Sequence, residues 1–307
     1  MNRSIFFITL SFLMMFFTVC ANQKMNSIYS PSLKKPIETK TVVFIHGLYM
    51  TNICWSEWKS SFKAQGYRVV DPSWPIFKGK TPGEIRTQHP DALLARLELT
   101  EVIDYYTKIV KAQKEKPIII GHSMGGLITQ ILMERNLGAA GVAIHSVPPP
   151  GVSAFSMALL RNNWAIISPF ADENEPIWLD LEDFKDGWMH NQSNRKAQLA
   201  YDTYFVPASR KLARGAQDKK VSGIDFKAKR PPLLLVAGDA DQTIPLNLTT
   251  ANYEAYSESP SVTDFKVFKG RTHFTLGQSG WENVSKFIIK WLNHNQGKIG
   301  KPVREEG

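Results

Sequence analysis

The chain alternates between two hydrophobic patterns. Short unbroken apolar runs, stopped by glycine or proline, are followed by stretches with apolar positions at helical spacing. "TVVFIHG" (41–47) is the first short run, β-branched and closed by Gly47, as expected of a strand buried on both faces. "ICWSEWKSSFKAQG" has one apolar helical face and stops at Gly66. "YRVVDPSWP" is a second strand that runs into prolines, and residues 76–90, with Gly79, Pro82, Gly83 and Pro90, read as a loop. "DALLARLELTEVIDYYTKIVKAQ" (91–113) predicts one long amphipathic helix with Asp91 as its N-cap. Then come a strand in "KPIIIG", a helix in "MGGLITQILMERN" and a strand in "AAGVAIHSVPPPG", closed by three prolines.

After Gly151 the rhythm breaks. Residues 152–227 are mixed and rich in aromatics, from Phe155 to Phe205, with no clean strand. The rhythm resumes with "RPPLLLVAGDADQTIP" (230–245), "FKVFKGRTHF" (265–274) and the amphipathic "WENVSKFIIKWLNHN". Strands alternating with helices predict an α/β fold, a mostly parallel central sheet flanked by helices, with functional groups at the carboxyl ends of the strands. The division that follows is a core over 41–151 and 228–295, with 152–227 as a helical cap inserted over the sheet's carboxyl edge. A polar linker with two prolines spans 22–40, and a solvated tail 296–307.

The N-terminus changes the picture of where the protein works. Arg3 is followed by the apolar run 5–19 and then by "CANQK", the layout of a secretory signal peptide. The run is short for a membrane span, which needs about 20 residues. Cleavage after Ala21 would export a soluble protein. "FTVC" (17–20) also resembles a bacterial lipoprotein box, which would attach the protein to a membrane through lipidated Cys20. Phe17 and Val19 depart from that box. Either way Cys54 is left without an intramolecular partner, so stability must come from core burial. The 307 residues suffice for a sizeable core, and 43% hydrophobic with 21% charged residues is an ordinary globular composition. A net charge of +9 invites the idea of nucleic acid, but no Lys/Arg block and no nucleic-acid motif accompanies it, so it reads as a basic surface. No metal-ligand cluster or phosphate loop stands out, and no cofactor is expected.

The chemistry sits where the strands end. Gly121-His122-Ser123-Met124-Gly125 matches G-x-S-x-G between a strand and a helix, the context a nucleophile elbow requires. Side chains at the two glycine positions would collide with strand and helix. The turn lifts the serine hydroxyl out of the sheet and aims a helix N-terminus at the reacting atom. A serine hydroxyl needs a base, and the base needs an orienter; in this motif both follow the serine. "VAGDADQTIP" offers Asp241 as the acid, with Asp239 as the alternative. "GRTHFTL" offers His273 as the general base, whereas His294 sits in a polar terminal stretch. Two backbone N–H groups are expected to hold an oxyanion: that of Met124, and that of Leu48 in "FIHGLYMT", with Tyr49 as second choice. His46, Gly47, Tyr49, His122 and Trp188 complete the expected substrate-binding set. His145 reads as a structural histidine near the site.

"VFIHGLYM", "IIIGHSMGGL", "GDADQTIP" and "GRTHF", in this order, make residues 40–295 resemble the α/β-hydrolase superfamily, and within it small esterases, lipases and perhydrolase-type proteins. The resemblance implies an eight-stranded sheet with a cap between strands six and seven, and an acyl-serine mechanism without a cofactor. The expected substrate is a small-molecule ester or lactone, with macrolide inactivation as one specific form. Two other readings are weaker. An aminopeptidase would use cap acids such as "DENEP" (172–176) and "DLED" (180–183). A non-catalytic binding protein on the same scaffold would not need a complete Ser–His–Asp set.

Overall fold

A computed structural model describes residues 33–154 and 157–294. The expected signal peptide, Cys20, most of the linker, Phe155 and the tail lie outside the described residues.

In chain order the core begins with β1 (Thr41–Ile45), α1 (Ser56–Ala64), β2 (Arg68–Val70), α2 (Pro82–Thr87), α3 (Ala92–Arg96) and α4 (Leu99–Lys111). It continues with β3 (Ile118–His122), α5 (Met124–Glu134) and β4 (Ala140–Ile144). Six short helices occupy the region expected to be the cap: α6 (Met157–Asn162), α7 (Trp164–Ile167), α8 (Leu181–Trp188), α9 (Asn194–Tyr204), α10 (Arg210–Gly215) and α11 (Lys219–Ser222). The core closes with β5 (Leu233–Gly238), α12 (Leu246–Glu254), β6 (Thr263–Phe268) and α13 (Trp281–Leu292).

All neighbouring strands pair in parallel, in the order β2-β1-β3-β4-β5-β6. The chain lays β2 on one side of β1 and every later strand on the other. The order therefore reverses between β1 and β3, and the crevice outside their carboxyl ends is where such sheets bind ligands. The central strands are apolar throughout because both faces are covered: every residue of β1, β3, β4 and β5 is buried. Helix α5 is buried from Met124 to Met133 for the same reason, packed on β3 and β4. Helix α4 instead buries one stripe, Leu99, Val102, Ile103, Tyr106 and Val110.

Four expectations need correction. The sheet has six strands among the described residues, not eight: the stretch 33–40 before β1, with Pro36 in it, forms no strand. The cap region accordingly follows the fourth strand of this sheet rather than the sixth. Residues 76–90 are not all loop, because Thr81 and Glu84 form a reciprocal capping box that starts α2 with Pro82 in its first turn. The single helix over 91–113 is two. Asp91 does cap the first, accepting from the N–H groups of Leu93 and Leu94, but Leu97 and Glu98 are extended and Glu98 starts a second capping box with Glu101.

Candidate active site

The serine lies at the hinge between β3 and α5. Ser123 has φ 56° and ψ −117°, a backbone shape that a non-glycine residue holds only where its surroundings force it. Its N–H donates to the Ile144 carbonyl at 3.0 Å, and its own carbonyl accepts from Gly126 at 2.9 Å and Leu127 at 3.2 Å. The flanking glycines make the hinge possible. A Cβ on Gly121 would sit 1.9 Å from the Gly125 carbonyl oxygen, and one on Gly125 would sit 2.2 Å from the Ile45 carbonyl oxygen.

Two loops deliver the partners. His273, five residues beyond β6, brings Nε2 to 3.0 Å from Ser123 Oγ. Its Nδ1 lies 2.8 Å from Asp241 Oδ2. Asp241 stands in the loop after β5, its other oxygen accepting the backbone N–H groups of Thr243 at 2.9 Å and Ile244 at 2.8 Å. A second histidine shares the carboxylate: His145 Nδ1 is 2.6 Å from the same Oδ2. Ser123, Asp241, His145 and His273 are all buried.

Burial alone would push the Asp241 carboxyl up. The two histidines more than offset this and hold it well below the usual range. Its contribution to stability is therefore fully present above the ordinary Asp value of about 3.9 and is lost only as pH falls through the lower native value. An ionised carboxylate only accepts, so both Nδ1 atoms carry hydrogen. His273 Nε2 is then a bare acceptor facing the Ser123 hydroxyl, the arrangement a general base requires. Burial lowers His145 and His122, which keeps both rings neutral.

Asp239, the other acid that the sequence offered, is exposed and accepts the Gly270 N–H at 2.6 Å, with no contact to His273 among its hydrogen bonds. It fastens the loop after β6 to the loop after β5.

The expected binding residues divide into two groups. Leu48, Tyr49, Met124 and Trp188 line a cavity of about 540 Å³ that has Ser123 in its wall. Trp188 also stands edge-on to the His273 ring, 4.6 Å between centroids. His46, Gly47 and His122, expected to bind substrate, do not line it. His46 is buried under the crevice, where its Nε2 accepts the Trp74 N–H at 3.2 Å and its ring stacks on Trp74; burial lowers it to about 4. Gly47 passes close to Ser123, and a Cβ there would come 2.8 Å from Ser123 Cβ. His122 points back under the loop, with Nε2 2.9 Å from the His273 carbonyl oxygen, and so positions the backbone of His273.

Of the remaining wall, the apolar stretch "AFSMALL" (154–160) points to an apolar ligand by its sequence and supplies Ala154, Leu159 and Leu160, whereas Ile166, Ile167 and the core residues do not stand out in the sequence. Leu159, Ile166 and Ile167 of the cap region and Val147, Ile244 and Leu248 of the core all line the cavity. Arg214 lines it too, but its guanidinium donates to the carbonyls of Ile166, Ser168 and Ala171 and ties α7 to α10. The described lining contains no carboxylate. The cap acids work locally instead: Asp180 caps α8 by accepting the Asp183 N–H, and Asp172 accepts the Asn174 N–H. Cys54 is buried and unoxidised in the core, its thiol pushed up by burial.

Residues 42–284 match the alpha/beta hydrolase family. The chain belongs to that family. It is 23% identical over 279 residues to a Mycoplasma genitalium protein provisionally named esterase/lipase 2, a match that covers 88% of this chain and 93% of the relative. Among solved structures it resembles the monoacylglycerol lipase of Paleococcus ferrophilus, with a TM-score of 0.58 and 21% identity over 85% of this chain and 96% of that one. A pyrethroid hydrolase aligns with a TM-score of 0.60 and 15% identity over 82% and 97% of the two chains. Tomato methylketone synthase I, solved with 2-tridecanone, aligns with a TM-score of 0.60 and 14% identity over 83% and 98%. At these identities the structural matches speak for the shared fold.

Proposed function

We propose that this protein is an exported serine hydrolase that cleaves carboxylic esters with apolar acyl or alcohol groups through an acyl-serine intermediate. The observation that carries the reading is the continuous Ser123–His273–Asp241 hydrogen-bonded chain opening into an apolar cavity. Ser123 Oγ attacks the ester carbonyl carbon while its proton passes to His273 Nε2. The carbonyl electron pair moves onto oxygen, where the N–H groups of Leu48 and Met124 stabilise it. Collapse expels the alcohol, which takes the proton back from His273. Water then attacks the acyl-serine by the same route, releases the acid and restores the hydroxyl of Ser123. Asp241 stays ionised throughout and steadies each imidazolium.

The relative named as an esterase/lipase and the neighbours named as a lipase and a pyrethroid hydrolase support an ester rather than an amide. The described cavity offers no carboxylate for a substrate amine, which disfavours the aminopeptidase reading. Export rests on the N-terminal run, with Cys20 as the lipidation point if the protein is anchored. A lactone is a cyclic ester to this machinery, so macrocyclic lactones, macrolides among them, fall within the same chemistry.

The cavity wall sets the expected preference. Each methylene buried against it is worth about 0.8 kcal/mol. For p-nitrophenyl esters, kcat/KM should rise by at least about tenfold from acetate to octanoate. A rate that is flat or falls with chain length would sink the apolar-substrate assignment.

A further inference from the structure

His145 occupies an unusual place. It lies one residue past β4 with φ 47°, held there by its N–H, which donates to the Val236 carbonyl at 2.8 Å. From this strained position it delivers Nδ1 to Asp241 Oδ2 at 2.6 Å, closer than the 2.8 Å of His273 to the same atom. The remaining Nε2 is buried with no partner among the described residues, so the ring's hydrogen bonding is spent on Asp241. All four donors to the carboxylate are then accounted for: Thr243 and Ile244 on one oxygen, His145 and His273 on the other.

We propose that His145 is a positioning residue: as a second Nδ1–H donor on Asp241 it fixes the carboxylate and divides its negative charge between two rings, so that the carboxylate holds the His273 imidazolium less tightly. The inference rests on the catalytic roles proposed above. Its physical basis is competition. A carboxylate oxygen that already accepts one short hydrogen bond stabilises a second, charged donor less than an unshared one does. The low-dielectric surroundings make this coupling stronger than it would be in water. Other titratable groups face the assembly from each side: His122 at the end of β3, Arg271 on the loop after β6, and His190 from the cap region, itself beside the exposed Asp186. His122 stays neutral, and the same groups remain in place in the variants below.

A pair of nearly isosteric substitutions isolates the donor. In His145→Asn the amide nitrogen takes the place of Nδ1, and asparagine tolerates positive φ better than most residues. His145→Leu keeps the shape of that variant and removes the donor. The acid limb of the kcat/KM profile on a p-nitrophenyl ester should move up by about one pH unit in His145→Leu and stay near the parent in His145→Asn. A uniform loss at every pH in His145→Leu, with the limb unmoved, would mean that the ring is only a packing element and would overturn the proposal. A measurement on the unmodified protein guards against a variant that fails to fold. Proton NMR with ¹⁵N-labelled histidine should show two strongly hydrogen-bonded Nδ1–H protons far downfield; one such proton would overturn the proposal. That spectrum requires no turnover, so it separates failure of the His145 assignment from failure of the ester-hydrolase reading, which loss of activity on Ser123→Ala addresses.

Discussion

Ser123→Ala is expected to lower ester hydrolysis by a factor on the order of 10⁶ in kcat while leaving the fold intact. Ser123 Oγ is the only atom removed, and within the described residues its hydrogen bond is to His273 Nε2. The elbow itself is held by backbone bonds of Ser123 to Ile144, Gly126 and Leu127, which alanine keeps. Thermal unfolding should therefore barely shift, and residual activity should reflect only binding and the oxyanion donors. Near-parental turnover by the variant would remove the nucleophile assignment.

The second large effect is Asp241→Asn, expected to lower kcat about 10⁴-fold. An asparagine offers one acceptor oxygen and one NH₂ group. The Thr243 and Ile244 N–H groups can only donate, so the side-chain oxygen must face them. The NH₂ then faces the two histidines, and His273 must turn its Nδ1 into an acceptor. Its hydrogen moves to Nε2, where it points at Ser123 and can no longer receive the hydroxyl proton. Asp239→Asn should stay within a few-fold of the parent, because Asp239 accepts the Gly270 N–H on an exposed loop. Equal losses in the two variants, or the larger loss in Asp239→Asn, would reverse the assignment of the acid.

Much of this arrangement was legible in the sequence, for identifiable reasons. Strands buried on both faces leave unbroken apolar runs, so β1, β3, β4 and β5 stood out. Chain order and loop position were enough to bring Ser123, Asp241 and His273 forward as candidates, because a glycine-flanked turn carries its own steric signature. Caps were harder. The Thr81–Glu84 box that opens α2, and the Glu98–Glu101 box that divides 91–113, are two-residue signals embedded in a glycine–proline stretch and in an amphipathic pattern that drowns them. Helix α12 was missed because its weakly patterned sequence shows no clear apolar face.

The division of labour among the other core histidines was not legible. His46, His122 and His145 each end a strand in the core, and nothing in their neighbours distinguishes a ring under the crevice from one on the carboxylate. What separates them is contact across the sheet: His46 with Trp74, His122 with the His273 carbonyl, and His145 with Asp241, 96 residues away. The cavity wall is the same kind of fact, since it draws on the loops after β1, β4 and β5 and on α6, α7, α8 and α10. Local pattern identifies the elements, but only the closed fold decides which ends meet.

Exposing the protein to a fluorophosphonate and locating the adduct by mass spectrometry tests Ser123 as the nucleophile directly. A single phosphonyl group is expected on Ser123, absent from Ser123→Ala and slowed in Asp241→Asn. An adduct on another residue, or equal labelling of Ser123→Ala, would contradict it.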